Sequence, residues 1–281
     1  MINLNIGISP CPNDLFIFYG LLNNKISSHK IKLIFTISDL NTLNIKVLNQ
    51  KLDVAKISYN NYFHVMNDYI ALKVGSAISF NTGPLLLSNQ LIDIQNIKNK
   101  IIGIPGINTT ANFLLSFAIQ NNNYRKEILY SYIENYLLQN KINLGVIIHE
   151  KKFNYSNKLY KVIDLGVFWT QKTNLPVPLG CVCIKKSIKF DIKKEMHILI
   201  KKSILYSISN YDKVIAFICS KFLNLTSNEI KQYINTYVNH STIYINKYDY
   251  EAVCKMFCIK QKNIITKIDY NKIFFDENNS C

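Results

Sequence analysis

The sequence predicts an α/β protein made of two strand-and-helix lobes with a ligand cleft between them. Three observations carry this expectation. Short β-branched runs alternate with helical stretches up to about Asp191, after which the chain is mostly helical. Two Gly- and Pro-containing stretches, Gly83-Pro84 and Leu175-Pro176-Val177-Pro178-Leu179-Gly180, stand where the chain would cross between lobes. Chemistry-bearing residues fall at the ends of apolar runs, the ends that face the ligand crevice in open α/β sheets. The expected division puts residues 1–86 and 179–281 in a larger, discontinuous lobe and residues 87–178 in a smaller one.

Composition narrows the class. With 281 residues, 48% hydrophobic and 18% charged, the chain is large enough to bury a substantial core. Met1–Ile8 has no basic start followed by a long apolar segment, and no apolar run is long enough to span a bilayer. A soluble, cytoplasmic protein with no membrane partner is therefore expected. The formal charge of +15 raises the question of nucleic acid, but the lysines are scattered. Lys, Asn, Ile and Tyr are over-used together, the mark of AT-rich codons, so no nucleic-acid partner is expected. A mild positive field still favours a small anionic substrate. The seven cysteines (11, 181, 183, 219, 254, 258 and 281) are odd in number and contain no Cys-x-x-Cys pair. Neither a disulfide framework nor a zinc site is signalled. Cys254 and Cys258 read as small core residues on one helix face, in a reducing compartment.

The elements follow in order. Ile2, Leu4, Ile6 and Ile8 alternate with polar or small residues, a strand pattern that ends at Ser9-Pro10-Cys11-Pro12-Asn13-Asp14. Asp14 is a good N-cap for the apolar run Leu15–Tyr19, whose helix should be buried on nearly all sides. A helix N-terminus at that point favours an anion or a polarised oxygen, or it is a rigid turn with no ligand. Residues 31–37 form a second strand and residues 39–48 a helix. Val54–Ser58 is a third strand end, where Lys56 and Ser58 present a cation and a hydroxyl; Ser58 equally fits as a cap for the aromatic helix that follows. Leu85–Leu87 is a further buried strand.

Ile101–Ile104 is a strand turned by Pro105-Gly106, and Asn108-Thr109-Thr110 opens the helix over 111–119. Two hydroxyls beside free N–H groups suit a carboxylate, or they simply cap the helix. A weak strand near 127–129 and a helix near 132–138 lead to Gly145-Val146-Ile147-Ile148-His149-Glu150. Its β-branched run reads as a buried strand of a parallel sheet that stops at His149. A neutral imidazole there can take a proton near pH 7, although a His at a strand end is also a common structural hydrogen-bonder. Val162–Gly166, the single Trp169, the Cys181–Ile184 strand and a helical remainder complete the chain. Phe274-Phe275 should tuck onto the core, and residues 276–281 should fray.

These residues also carry a family resemblance. Ser9-Pro10-Cys11-Pro12-Asn13-Asp14 with Phe16-Ile17-Phe18 resembles the N-terminal signature of the 1,4-dihydroxy-6-naphthoate synthases of the futalosine route to menaquinone. The similarity runs on through Lys56-Ile57-Ser58-Tyr59, Gly83-Pro84, Pro105-Gly106 with Thr109-Thr110, and Gly145–Glu150. It continues through Val162–Gly166, Leu175–Gly180 and Thr236-Tyr237-Val238-Asn239. Leu15 stands where the family usually has Thr, which removes no motif residue. The resemblance implies a two-lobed, periplasmic-binding-protein-like (type II) fold that acts on cyclic dehypoxanthine futalosine as a carbon–carbon lyase, without metal or organic cofactor. It implies His149 as general base and Lys56, Ile57, Ser58, Thr109 and Thr110 as substrate contacts, with Ser9, Asn13 and Asp14 lining the cleft.

Two readings compete. Chorismate dehydratase, a sister enzyme of the same pathway and fold class, is disfavoured by the Ser9–Asp14 opening and the Ile147–Glu150 strand end. A non-catalytic small-anion binding protein would ordinarily carry an export signal or anchor.

Overall fold

The structure, a computed structural model, describes residues 1–119, 124–261 and 270–276. Strand β1 (Ile2–Ile8) buries Leu4, Ile6 and Ile8, as its alternation requires. Helix α1 (Pro12–Leu22) starts ahead of the expected Asp14 cap. Pro12 can open the first turn because its missing N–H would have no intrahelical acceptor there. Cys11 takes the N-cap position, and Asp14 turns back to accept hydrogen bonds from Ser9.

β2 (Ile31–Ile37) leads to α2 (Leu40–Leu48), capped by the Asp39 carboxylate on Thr42 N–H at 3.1 Å. β3 (Val54–Ser58) is buried throughout and runs into α3 (Tyr59–Val65). β4 (Tyr69–Ala71) and β5 (Ala77–Ser79) are three-residue strands too short to leave a periodic signal. β6 (Leu85–Ser88), β7 (Ile101–Ile104), α4 (Thr110–Ala118), β8 (Tyr124–Glu127), α5 (Tyr130–Leu138) and β9 (Leu144–Ile147) follow. After these come β10 (Tyr160–Asp164), α6 (Leu165–Thr173) and β11 (Val177–Lys185). The helices α7 (Phe190–Ser209), α8 (Tyr211–Cys219), α9 (Ser227–Tyr237), α10 (His240–Ile243), α11 (Lys247–Gln261) and α12 (Tyr270–Ile273) end the described chain.

The strands form two sheets. The first has the order β2-β1-β3-β11-β4 with β5 paired to β11; the second has the order β10-β6-β9-β7-β8. β1 is parallel to β2 and β3, whereas β11 is antiparallel to its neighbours. β9 is parallel to β7 but antiparallel to β6, so the parallel surroundings expected for residues 145–148 exist on one side only. The reason is connectivity: β6 enters directly from the first lobe and not through a crossover helix. β6 belongs wholly to the second sheet from Leu85, and β11 to the first from Val177.

At the crossing, Gly83 and Gly166 pack backbone to backbone. A Cβ on Gly166 would stand 2.3 Å from the Gly83 nitrogen. The Lys152 ammonium donates to the Gly83 carbonyl at 2.8 Å and to Thr82 Oγ1, and pairs with Asp164 at 3.3 Å. α1 is buried between β1 and the C-terminal helices, where Ser203 and Ser207 of α7 donate to the Ile17 and Phe16 carbonyls, each at 2.7 Å. Trp169 is fully buried, its indole N–H on the Pro176 carbonyl at 2.9 Å. Cys254 is buried and Cys258 partly so on α11. Phe274 and Phe275 are buried against β4, and Asp276 pairs with Lys73 at 3.3 Å. The remainder of the tail expected to fray, residues 277–281, lies outside the described residues. No helix among the described residues is long and apolar enough to cross a membrane.

The crossing yields a first prediction. Gly166→Ala drives a methyl into the Gly83 backbone and should lower stability by about 2 kcal/mol, the ordinary cost of overpacking. Urea unfolding followed by circular dichroism measures it; an unchanged midpoint would mean the crossing gives way freely.

Candidate active site

One cleft between the lobes collects all nine residues singled out in the sequence: Ser9, Asn13, Asp14, Lys56, Ile57, Ser58, Thr109, Thr110 and His149. It encloses about 680 Å³, counting space continuous with solvent. Ser9, Ser58, Thr109 and His149 follow or end β1, β3, β7 and β9, the carboxyl ends at which ligand crevices form.

The wall from the first lobe is built on a buried charge. Asp14 accepts from Ser9 Oγ at 2.6 Å and Ser9 N–H at 3.2 Å, and from Asn13 Nδ2 at 3.0 Å. Lys56 Nζ stands 4.0 Å from the same carboxylate and donates to the Gly75 carbonyl. Burial pushes the Asp14 carboxyl up, against the opposing pull of Lys56 and Ser9. The Lys56 ammonium is pushed down by burial and held up by Asp14. Ser58 precedes α3 but makes no side-chain cap bond, contrary to the capping alternative; its Oγ accepts from Asn44 Nδ2 at 3.3 Å. Asn44 is buried at the packed face of α2, so it reaches the hydroxyl before any helical N–H can.

The Thr pair opens α4. Thr109 is its N-cap, accepting from Asn112 N–H at 3.2 Å and donating to the Gly106 carbonyl at 2.7 Å. Thr110 reaches across to the Leu179 carbonyl at 2.8 Å and accepts from Asn60 N–H at 3.3 Å. The first-turn N–H groups of Thr110 and Ala111 lack intrahelical acceptors, and both residues line the cleft.

His149 owes its place to an interrupted ladder. Ile147 of β9 pairs with Leu85, and the next partner would be Pro84, which has no N–H to give. The chain leaves the sheet there, and His149 adopts φ +59° at the start of a single 3-10 turn, His149–Lys152. Its ring stands edge-on to Tyr130 at 4.8 Å, its Nδ1 lies 3.1 Å from Cys11 Sγ, and its Nε2 is buried with no hydrogen-bond partner among the described residues. Burial pushes the imidazole down to about 4, opposed only by the Asp39 carboxylate. The ring is therefore neutral at pH 7, the form that can accept a proton.

Three further lining residues escaped the sequence reading. Lys152 looked like one of many scattered lysines. Tyr233 and Tyr237 sit on α9 at the four-residue spacing of an ordinary buried face, with ring centroids 4.8 Å apart and Phe153 packed on both. Tyr233 Oη donates to Asn13 Oδ1 at 3.2 Å, tying α9 to the mouth of α1. Only Tyr237 carried a signal, through the Thr236–Asn239 stretch.

A family model described as menaquinone biosynthesis matches residues 4–262. The chain belongs to that family. It is 31% identical over 255 residues to the 1,4-dihydroxy-6-naphthoate synthase of Thermus thermophilus, covering 90% of this chain and 92% of that one. The Streptomyces coelicolor protein of the same name is 26% identical over 256 residues, covering 89% and 90%. A crystal structure of an Archaeoglobus fulgidus protein superposes with a TM-score of 0.87 at 26% identity, over 92% of this chain and 98% of that one. A Candida albicans protein described as having the generic periplasmic binding protein fold superposes with a TM-score of 0.70 at 14% identity, over 98% and 96%. That likeness establishes the fold: two periplasmic-binding-protein-like lobes around a cleft suited to a small molecule.

Two predictions follow from the electrostatics. The unfolded chain protonates His149 near pH 6.5, the folded chain only near 4, so between these values the unfolded state binds more protons. Stability should therefore fall as pH drops through that window, by about 3 kcal/mol, and His149→Gln should flatten this part of the urea midpoint–pH curve. Equal slopes in the two proteins would show that His149 titrates normally in the fold. Lys56→Met strands the Asp14 carboxylate and should destabilise the protein by about 3 kcal/mol at neutral pH. The loss should shrink in acid, where the raised Asp14 carboxyl is protonated, and thermal melts across pH read it.

Proposed function

We propose that this chain is a carbon–carbon lyase of menaquinone biosynthesis that converts cyclic dehypoxanthine futalosine to 1,4-dihydroxy-6-naphthoate, with His149 as general base. The observation that carries the reading is the meeting of a neutral imidazole, its Nε2 without a partner among the described residues, with hydroxyl, cationic and N–H groups in one cleft. The names of the relatives in Thermus and Streptomyces support the product. Release of the sugar-derived portion requires a proton to be removed and a carbon–carbon bond to break, and formation of the aromatic naphthoate supplies driving force. His149 takes the proton. Lys56, Ile57 and Ser58 hold the substrate from one lobe. Thr109, Thr110 and the start of α4 hold a carboxylate or sugar oxygen from the other. The Tyr233 and Tyr237 rings offer apolar surface to the bicyclic ring. The reaction is assigned to the cytoplasm as part of the same reading.

Purified protein should convert cyclic dehypoxanthine futalosine to the naphthoate, detected by chromatography. His149→Ala should lower kcat by about 10²–10⁴-fold with KM little changed. Turnover retained in His149→Ala would remove it as the base. A folded wild type that ignores this substrate and dehydrates chorismate would replace the reading with the sister reaction.

A further inference from the structure

His149 needs something to fix which ring nitrogen carries its hydrogen. If Nε2 is protonated, the imidazole can only donate into the cleft, and base chemistry there is impossible. In many sites a carboxylate or a backbone carbonyl on the other nitrogen makes this choice. Here the group on Nδ1 is a thiol: Cys11 Sγ at 3.1 Å, from the opposite lobe.

The pair is held from both sides. Cys11 sits at the N-cap of α1, and its N–H donates to Ser9 Oγ at 3.3 Å, which itself donates to Asp14. The edge contact of Tyr130 fixes the ring plane. Burial together with the Glu150 and Asp14 carboxylates pushes the Cys11 thiol well up, and burial holds His149 neutral, so no thiolate–imidazolium pair forms. One hydrogen therefore resides on the sulfur and one on the ring. The Glu150 carboxyl acts electrostatically on Cys11, and its buried Oε2 makes no hydrogen bond among the described residues. With S–H turned away from the ring, the sulfur lone pairs face Nδ1.

We propose that Cys11 is the positioning residue for His149, its sulfur accepting a hydrogen bond from Nδ1–H and leaving the Nε2 lone pair for the substrate proton. The inference rests on the reading of His149 as base. It accounts together for a buried thiol at 3.1 Å from a ring nitrogen and for a His149 Nε2 that is buried with no partner among the described residues.

The test is long-range ¹H–¹⁵N correlation spectroscopy of the histidine side chains at pH 7, with His149 assigned by its loss in His149→Gln. It is run on wild type, Cys11→Ala and Cys11→Ser, alongside steady-state kinetics with cyclic dehypoxanthine futalosine. In wild type the His149 pattern should be that of the Nδ1–H form. Cys11→Ala should shift it toward Nε2–H and lower kcat by about 10–100-fold with KM nearly unchanged. Cys11→Ser, whose oxygen can accept the same bond, should restore the Nδ1–H pattern and part of kcat. Circular dichroism establishes that the variants are folded, and the serine variant serves if the alanine variant is not. An Nε2–H pattern in wild type, or a His149 pattern and kcat indifferent to Cys11→Ala, overturns the proposal. A wild type without turnover that still shows a Cys11-dependent Nδ1–H pattern upholds the pairing and defeats the assigned reaction instead.

Discussion

A carboxylate kept out of water organises this cleft. Asp14 is buried, and isolated burial of a charge would be prohibitive, so its partners must stay where they are. Ser9 ties it to the end of β1, Lys56 to the end of β3, and Asn13 carries the connection on to Tyr233 of α9. Three separate pieces of the first lobe are thus registered on one group. The same registration sets the position of the α1 N-terminus and, with it, the sulfur that meets His149.

The second lobe contributes by a different device. Its sheet is ordinary until Pro84 fails to continue the ladder beside β9, and the chain must then turn out. A left-handed residue follows at once, and that residue is His149. The fold is shared with binding proteins whose business is capture, so the fold alone says nothing about chemistry. What distinguishes this chain is which side chains stand at the four strand ends.

Much of this was legible in the sequence because it depends on local chemistry. β1, β3 and β9 are short β-branched runs with polar stops, and Thr109 is a cap residue before an apolar helix. Those patterns are written within a few residues of themselves. Asp14 misled because two local rules compete at that point: an acidic cap and a proline start both open helices, and the proline start prevailed once Ser9 offered the carboxylate a partner. β4 and β5 could not be seen, since three residues cannot show a period. Lys152, Tyr233 and Tyr237 could not be recognised as cleft residues because their roles come from contacts with distant segments. The mixed character of the second sheet depends on where β6 comes from, which is a fact of topology and not of any local stretch.

The contact between Cys11 and His149 joins one lobe to the other, and that has a consequence for the order of events. Under the proposed pairing, any separation of the lobes would draw the sulfur from the imidazole, so the oriented base would exist only while the door is shut. Bulk water admitted by such a parting would meet a histidine that has already lost its alignment. The fold would then behave as an interlock: the same movement that lets product out would disarm the group that made it.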